Sequence, residues 1–223
     1  MSSVTDTPEL ERSSLRDQVR SILRAKIITG ELEEGTLYSV GEFATRLGVS
    51  ATPVREALGD LEQHGLVQVI RNRCFVVPTL TDHDLDEIFQ LRIMLEVPTV
   101  ERVIGKLTVD ELATCDAIVQ RCLACAREGD LTGFLEADRD FHLRLLGALG
   151  NRRLVDIVDR LRDQTRLYGL LMLAPDNLVA SAQEHEDLLQ AIAAKDERRA
   201  RERLVHHLEH TRGLWAGRPV PET

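Results

Sequence analysis

The chain has 223 residues, of which 43% are hydrophobic and 29% charged, and its net charge is −9 at pH 7. This composition indicates a globular protein rather than a disordered segment, and the acidic balance excludes a protein that binds nucleic acid through bulk positive charge. No apolar run approaches the roughly 20 residues that span a bilayer, and the polar N-terminus lacks a signal peptide pattern. We therefore expect a cytoplasmic protein with no membrane partner, whose four cysteines stay reduced.

The N-terminal third of the sequence begins with two predicted helices. Apolar residues at helical spacing between Leu15 and Ile27 predict a first helix that ends at Gly30. A short second helix is predicted around Phe43. It ends at Gly48, because glycine readily adopts the left-handed backbone of a helix C-terminus.

A third helix follows after a tight turn. Thr52 is its predicted N-cap, and Pro53 fits the first turn, where a missing N–H costs nothing. Val54 and Leu58 give the helix an inward apolar face, and Gly65 closes it. The polar residues near its N-terminus are left on the outer side.

Alternating apolar residues from Val67 to Val77 predict two short strands with Arg71 and Arg73 at their tip. Together these elements form a winged helix-turn-helix, whose second helix enters the major groove of DNA. The alternative is a small helical unit with a purely structural role, but this interpretation leaves the basic wing tip and Arg55 unexplained. The candidate DNA contacts are Arg46, Ser50, Thr52, Arg55, Arg71 and Arg73.

The segment LGVSATPVREALGDLEQHGLV resembles the recognition segment of GntR-family transcription regulators, and the upstream LRAKIITGELEEGTLYS resembles the same family's first helix. The resemblance favours repression as the mode of regulation, with activation as the alternative. A single recognition helix reads a short half-site, so we expect a homodimer on palindromic operator DNA. The sequence departs from the family at Gly41 and Ala51, where arginine is common, and at Cys74, which replaces the wing glycine.

Beyond residue 79 the pattern is helical. Thr81 with Asp84, and Thr108 with Glu111, match the capping box of a helix N-terminus. Asp130 is a further predicted N-cap. About six helices and no strand are predicted in this part of the chain.

Two further signals complete the prediction for the second region. Ser181 and Glu184 match a third capping box, and Pro98 is expected to end or kink the first helix. The predicted fold class is thus mainly α, with a winged helix-turn-helix domain at residues 1–79. An all-α antiparallel helical bundle occupies residues 80–223 and is expected to mediate dimerisation.

Four polar residues of the second region fall on helix faces that are otherwise apolar. Asp138 and His142 are four apart on one helix, and His185 and His207 lie on two later helices. Buried imidazoles and carboxylates are costly unless they are paired. One aspartate and three histidines from three helices satisfy one another through a divalent metal ion. A hydrogen-bonded polar core is the alternative.

This half of the chain resembles the FCD domain, the all-α ligand-binding domain of the FadR subfamily. Many members share a D-x-x-x-H pair, then E-H on a later helix, then a histidine before leucine on the last helix, and Asp138, His142, His185 and His207 match all four positions. The resemblance implies a bound divalent metal, with zinc or nickel expected and manganese as a further option. It also implies a small carboxylate effector, an organic acid, beside the metal.

Arg92 lies on an apolar stripe of the first helix, so its guanidinium points toward the core. An arginine there suits a carboxylate in a bidentate pair, and LRIMLE resembles the family's LR-x-x-LE, so Arg92 is the candidate effector-binding residue. An internal salt bridge to Glu96 or Asp138 is the alternative.

Cys122 and Cys125 form a C-x-x-C pair on one predicted helix, for which core packing is favoured over metal or redox chemistry.

We therefore predict a ligand-responsive, metal-containing transcription regulator that is not an enzyme. A metal-dependent hydrolase is one alternative, because an Asp/His3 site with an open position can activate water. However, no nucleophile or general-base motif accompanies the site. A structural zinc domain is a third possibility and would have a closed site with no effector.

Overall fold

The computed structural model of the protein describes residues 14–165 and 175–215. The described residues form nine helices and one small antiparallel sheet. In these two parts of the chain, none of the helices combines the length and apolar character needed to cross a membrane.

The N-terminal region contains three helices and three short strands. In chain order they are α1 (Leu15–Ile28), β1 (Leu37–Ser39), α2 (Val40–Leu47), α3 (Ala51–Gln63), β2 (Gln68–Ile70) and β3 (Cys74–Val76). Strand β3 lies between β1 and β2 and is antiparallel to both, so Phe75 pairs with Tyr38 on one side and Val69 on the other. Phe75 is fully buried with Leu23 and Leu58 in the core beneath the sheet.

The N-cap prediction for α3 was wrong by two residues. Helix α3 begins at Ala51, and Ser50 occupies the N-cap position with an extended backbone but makes no side-chain capping bond. Thr52 lies in the first turn and is exposed. Because the first four N–H groups of a helix have no intrahelical partner, Pro53 is tolerated as the third helical residue and does not fix where the helix starts.

The second region consists of six helices within the described residues. They are α4 (Asp82–Val103), α5 (Val109–Glu128), α6 (Leu131–Gly147), α7 (Arg152–Thr165), α8 (Pro175–Ala193) and α9 (Glu197–Trp215). Helix α5 packs against α6 and α8, and α9 packs against α4 and α8, around a hydrophobic cluster separate from that of the N-terminal region. Cys115 and Cys122 are fully buried in this cluster, as expected for core residues, and Cys125 is partly buried.

The caps at Thr81, Thr108 and Asp130 are confirmed, whereas the one at Ser181 is wrong. Both threonine caps form complete capping boxes, and the Asp130 side chain accepts a hydrogen bond from the third residue of α6. Helix α8 is already formed at Pro175, six residues before Ser181. Ser181 is therefore a buried residue inside the helix.

Pro98 does not end α4, which continues to Val103. A proline at this position removes the hydrogen bond that its N–H would donate to the Met94 carbonyl. Pro98 is exposed and so is Met94, one turn earlier. The proline thus lies on the solvent side of the helix, where the Met94 carbonyl is accessible to water.

Candidate metal centre

The four predicted ligands meet inside the second region. Helix α6 supplies Asp138 and His142, α8 supplies His185, and α9 supplies His207, and all four side chains are buried. The Nε2 atom of His142 lies 3.1 Å from that of His185 and 3.2 Å from that of His207, and the third side of this triangle, between His185 and His207, measures 3.2 Å. Asp138 Oδ1 lies 3.3 Å from the His185 Nε2 and 3.8 Å from the His142 Nε2.

These separations fit a metal ion bound through nitrogen. Histidine nitrogens lie about 2.0–2.1 Å from zinc, so two of them are about 3.3 Å apart in a tetrahedral site and about 3 Å apart in adjacent positions of an octahedral one. The observed edges of 3.1 and 3.2 Å fall between these values. Four ligand atoms, one from each residue, lie within 4.8 Å of one another.

Each histidine also has a partner at its outer ring nitrogen. His142 Nδ1 lies 3.2 Å from Glu96 Oε2, and His207 Nδ1 lies 2.8 Å from Glu184 Oε2. His185 Nδ1 lies 3.9 Å from the sulfur of Cys122, which in turn contacts the carbonyl of Phe134. A carboxylate or sulfur beside Nδ1 accepts a hydrogen bond from the ring N–H, and this favours the tautomer whose Nε2 carries no hydrogen.

With that tautomer in all three rings, no hydrogen lies between the three Nε2 atoms, so they cannot donate hydrogen bonds to one another. Burial, followed by the charge of Arg162, holds the pKa of His142 well below its usual value. Burial and the neighbouring His185 lower the pKa of His207 to about 4. The rings of His142 and His207 therefore stay neutral near pH 7, and their inward lone pairs suit a metal cation.

A buried network of four charged groups lies beside the ligands. The Arg92 Nε donates to Glu96 Oε1 at 2.6 Å, which is the internal salt bridge considered from the sequence. Arg162 donates to Asp138 Oδ2 at 2.6 Å and to Glu96 Oε2 at 3.4 Å. Burial opposes ionisation of both carboxyls, but the two arginines hold the pKa of Glu96 below its usual range, and Arg162 does the same for Asp138.

The sequence indicated the four candidate ligands and Arg92 but missed the role of three residues that contact them. Glu96 was considered only as a salt-bridge partner of Arg92. Glu184 was interpreted as part of a capping box, although it contacts His207 and His210. Arg162 lies in a helix so rich in charge that no local signal distinguishes it, and its partner Asp138 is 24 positions away.

The candidate DNA contacts are all exposed: Arg46, Ser50, Thr52, Arg55, Arg71 and Arg73. Three residues, Arg71, Asn72 and Arg73, connect β2 to β3. Arg71 and Asn72 have positive φ angles and are the central residues of a turn closed by a 3.1 Å hydrogen bond from Arg73 N to Ile70 O. The Arg55 Nε donates to the Asn72 carbonyl at 3.2 Å. The recognition helix and the wing tip are thus joined at the surface that would face DNA.

Comparison with known proteins agrees with this architecture. The sequence matches the family of bacterial regulatory proteins named gntR over residues 15–77 and the FCD domain over residues 87–210. It is 28% identical to the transcriptional regulator McbR of Escherichia coli over 91% of this chain and 93% of that protein. It is also 28% identical to the gluconate operon transcriptional repressor of Bacillus licheniformis, over 84% of this chain and 79% of that protein. The solved structure of E. coli McbR superposes with a TM-score of 0.80, at 26% identity, over 92% of this chain and 99% of that one.

A winged helix-turn-helix followed by an FCD bundle defines a DNA-binding transcription regulator. The chain belongs to the GntR family, and its C-terminal part is an FCD domain. Proteins of this family are transcription regulators rather than enzymes, and several relatives are named repressors. The family therefore disfavours the hydrolase alternative.

Proposed function

We propose that this protein is a repressor whose FCD domain binds one divalent metal ion and a small carboxylate effector. The observation that carries the proposal is the triangle of Nε2 atoms from His142, His185 and His207, with edges of 3.1 and 3.2 Å. Their outer nitrogens are all engaged, and Asp138 adds an anionic oxygen at the same point. Such a donor set binds a cation far better than it satisfies itself by hydrogen bonds.

Three imidazoles and one carboxylate suit zinc or nickel, and manganese is a further option. When bound, the ion supplies a Lewis-acidic position to which an effector oxygen binds. The four residues of this chain hold the ion, and Glu96, Glu184 and Cys122 orient their rings.

The charges around the site favour an anionic effector. Arg92, Arg162, Glu96 and Asp138 are buried, and their formal charges cancel, whereas Glu184 adds a negative charge beside His207. A divalent cation then leaves a net positive charge that an organic acid neutralises in this buried setting. The Arg162 Nε is buried and has no hydrogen-bond partner among the described residues. We assign the effector carboxylate to the metal and to the guanidinium of Arg162, with Arg92 as the second candidate partner.

We further propose that the protein acts as a cytoplasmic homodimer on a palindromic operator, with a DNA-binding domain at residues 1–79 and a dimerisation domain at 80–223. Leu91 and Met94 lie three residues apart on α4 and are 47% and 66% exposed. Their spacing puts both side chains on one face of the helix. An apolar face of this kind is suited to contact a second copy of the chain.

Metal content tests the central claim. Protein purified without chelators is expected to contain about one divalent ion per chain by elemental analysis, and His185→Ala is expected to lose it. His83→Ala is the matched control, because His83 is 80% exposed at the start of α4. Wild-type protein with no metal, and with no gain in melting temperature from added zinc, nickel or manganese, would refute the metal centre. The four residues would then be a hydrogen-bonded polar core.

The effector is tested on metal-loaded protein with a panel of small organic acids. A carboxylate that binds should raise the melting temperature and weaken binding to a DNA fragment selected by the wild-type protein. Arg162→Met is expected to abolish both responses, whereas Arg160→Met, at an exposed position of the same helix, keeps them. A carboxylate response that is unchanged in Arg162→Met would contradict the assigned position of the effector.

A further inference from the structure

The last turn of α7 contacts both the candidate metal centre and the N-terminal region. Consecutive helix residues point about 100° apart, so Arg162 and Asp163 face different neighbours. Arg162 turns into the bundle, where it binds Asp138 Oδ2 at 2.6 Å and Glu96 Oε2 at 3.4 Å. One side of α7 thus contacts a candidate metal ligand directly.

Asp163 faces the N-terminal region instead. One of its oxygens forms an ion pair with Arg24 of α1, and the other lies 3.1 Å from His64 Nδ1. His64 is the C-cap of α3, the recognition helix. The Asp163 side chain is only 4% exposed, so this carboxylate is enclosed between the two helices that it contacts.

The next residue of α7 approaches the same end of the recognition helix. A Cβ atom added at Gly65 would lie 2.3 Å from the Gln164 Nε2, so the Gln164 side chain lies directly against the backbone of Gly65. A cleft of about 440 Å³ lies between α1 and α3 on one side and α6 and α7 on the other, and Arg24, His64 and Asp163 are among the residues that line it. The contacts of Asp163 therefore bridge the two walls of this cleft.

We infer that Arg162 and Asp163 couple the metal centre to the recognition helix, with Asp163 as a positioning residue for α3. The inference rests on the proposed function of the FCD domain. Asp138 binds both the metal and Arg162, so a change at the metal shifts Arg162. The peptide bond to Asp163 carries this shift to Arg24 and His64. Two sites coupled in this way influence each other's affinity by the same factor.

The test compares two variants of α1 that lose the same charge. Arg24→Gln removes the partner of Asp163. Arg16→Gln removes an equivalent ion pair with Asp60 of α3, which lies within the N-terminal region. Affinity for a DNA duplex selected by the wild-type protein is measured by fluorescence anisotropy with zinc-loaded and EDTA-stripped protein. The ratio of the two dissociation constants reports the coupling, whereas loss of general DNA affinity or stability changes both constants alike.

We expect a wild-type ratio that differs from one by at least about fivefold. Arg16→Gln should keep that ratio, and Arg24→Gln should bring it close to one while zinc affinity stays within the wild-type range. Asp163→Asn provides a second variant that removes the charge from the other side of the contact. A wild-type ratio of one, or an Arg24→Gln ratio equal to that of wild type, overturns the inference.

Zinc binding is measured separately by competition with a chromophoric chelator, so the two proposals fail in different ways. Protein that does not bind zinc refutes the metal centre and with it the coupling. Protein that binds zinc tightly but shows equal ratios in wild type and Arg24→Gln leaves the metal centre intact and refutes only the role of Asp163.

Discussion

The Glu184 side chain shows how a single residue shapes the metal centre. Its carboxylate binds His207 Nδ1 at 2.8 Å and also contacts His210, and although burial opposes ionisation, these two hydrogen bonds lower the pKa of Glu184 to about 2. An ionised partner increases the basicity of the imidazole that it holds. Glu184→Gln keeps the shape of the side chain and removes this charge.

We expect Glu184→Gln to weaken zinc affinity by about 10-fold or more, in the range typical of residues that orient metal ligands. A competition titration measures the change. Glu186→Gln, two residues further along α8, removes the same charge away from the ligands and should leave the affinity unchanged. Equal zinc affinity in wild type and Glu184→Gln would show that the His207 ring does not depend on this carboxylate.

Side chains that share a short sequence pattern could be identified as candidates, whereas a contact between distant helices such as that of Arg162 with Glu96 could not. Asp138 and His142 are four apart on a face that is otherwise apolar, so their pairing is a local signal. The contact between Arg162 and Glu96 joins positions 66 apart, and only the packing of α4 against α7 creates it. Glu184 was misassigned because a serine three residues before a glutamate also occurs inside helices.

At the level of secondary structure, the capping box of α5 is a discrete stabilising unit. The Thr108 hydroxyl accepts a hydrogen bond from Glu111 N at 3.2 Å. Thr108→Ala is therefore expected to lower the free energy of unfolding by about 1 kcal/mol, measured by urea denaturation. Thr114→Ala is the control on the same helix, because its hydroxyl only donates to the Asp110 carbonyl. If both substitutions lower the free energy of unfolding by the same amount, the cap at Thr108 does not specifically stabilise α5.

The other half of the same cap makes stability depend on pH. Glu111 accepts hydrogen bonds from the Thr108 backbone N–H and hydroxyl, and these lower the pKa of its carboxyl. A lowered carboxyl pKa stabilises the folded state above the ordinary glutamate pKa of about 4, and this contribution is lost as the pH falls through the lowered value. Glu111→Gln should therefore destabilise the protein at pH 7, with a cost that shrinks below about pH 4. If Glu111→Gln lowers the free energy of unfolding by the same amount at pH 7 and at pH 3, the lowered pKa of Glu111 is not the cause.

The recognition helix and the wing act together through Arg55, whose Nε donates to the Asn72 carbonyl at 3.2 Å. We expect Arg55→Ala to weaken binding to selected DNA by about 1–3 kcal/mol if the guanidinium reads a base, or to lower the salt slope by about 1 if it contacts phosphate. Arg198→Ala on α9 removes an equally exposed charge far along the chain as a control. An unchanged gel-shift midpoint at fixed salt would rule out Arg55 as a DNA contact.

Helices were easier to predict than the short strand β1. Ser39 caps α2, and Gly48 follows it with a left-handed backbone, so both ends of that helix have sequence signals. Strand β1 spans only Leu37–Ser39, and it exists because β3 offers it an edge to pair with. Three residues are too few for an alternation of apolar and polar residues to predict a strand. The partner strand β3 lies more than 30 positions further along the chain.

For the whole molecule, the proposed homodimer would determine how DNA is read. A single winged helix binds one half-site, and linking two copies turns the second binding step into an intramolecular one. The two half-sites of a palindrome are then bound far more tightly than either half alone. The exposed apolar pair Leu91 and Met94 on α4 is the surface that we assign to this contact.

Met94→Glu places a charge in that surface and is expected to split the dimer. Light scattering should then give a mass of 25.1 kDa where wild type gives twice that value. Affinity for a palindromic fragment should fall to that for a single half-site, because the intramolecular step is lost, while single-site affinity stays the same. Val109→Glu is the matched control, because Val109 is 82% exposed at the start of α5, another helix of the bundle. If the Met94→Glu protein remains dimeric, the contact between copies lies on another face of the bundle. If the wild-type protein is monomeric, the proposed dimer is wrong.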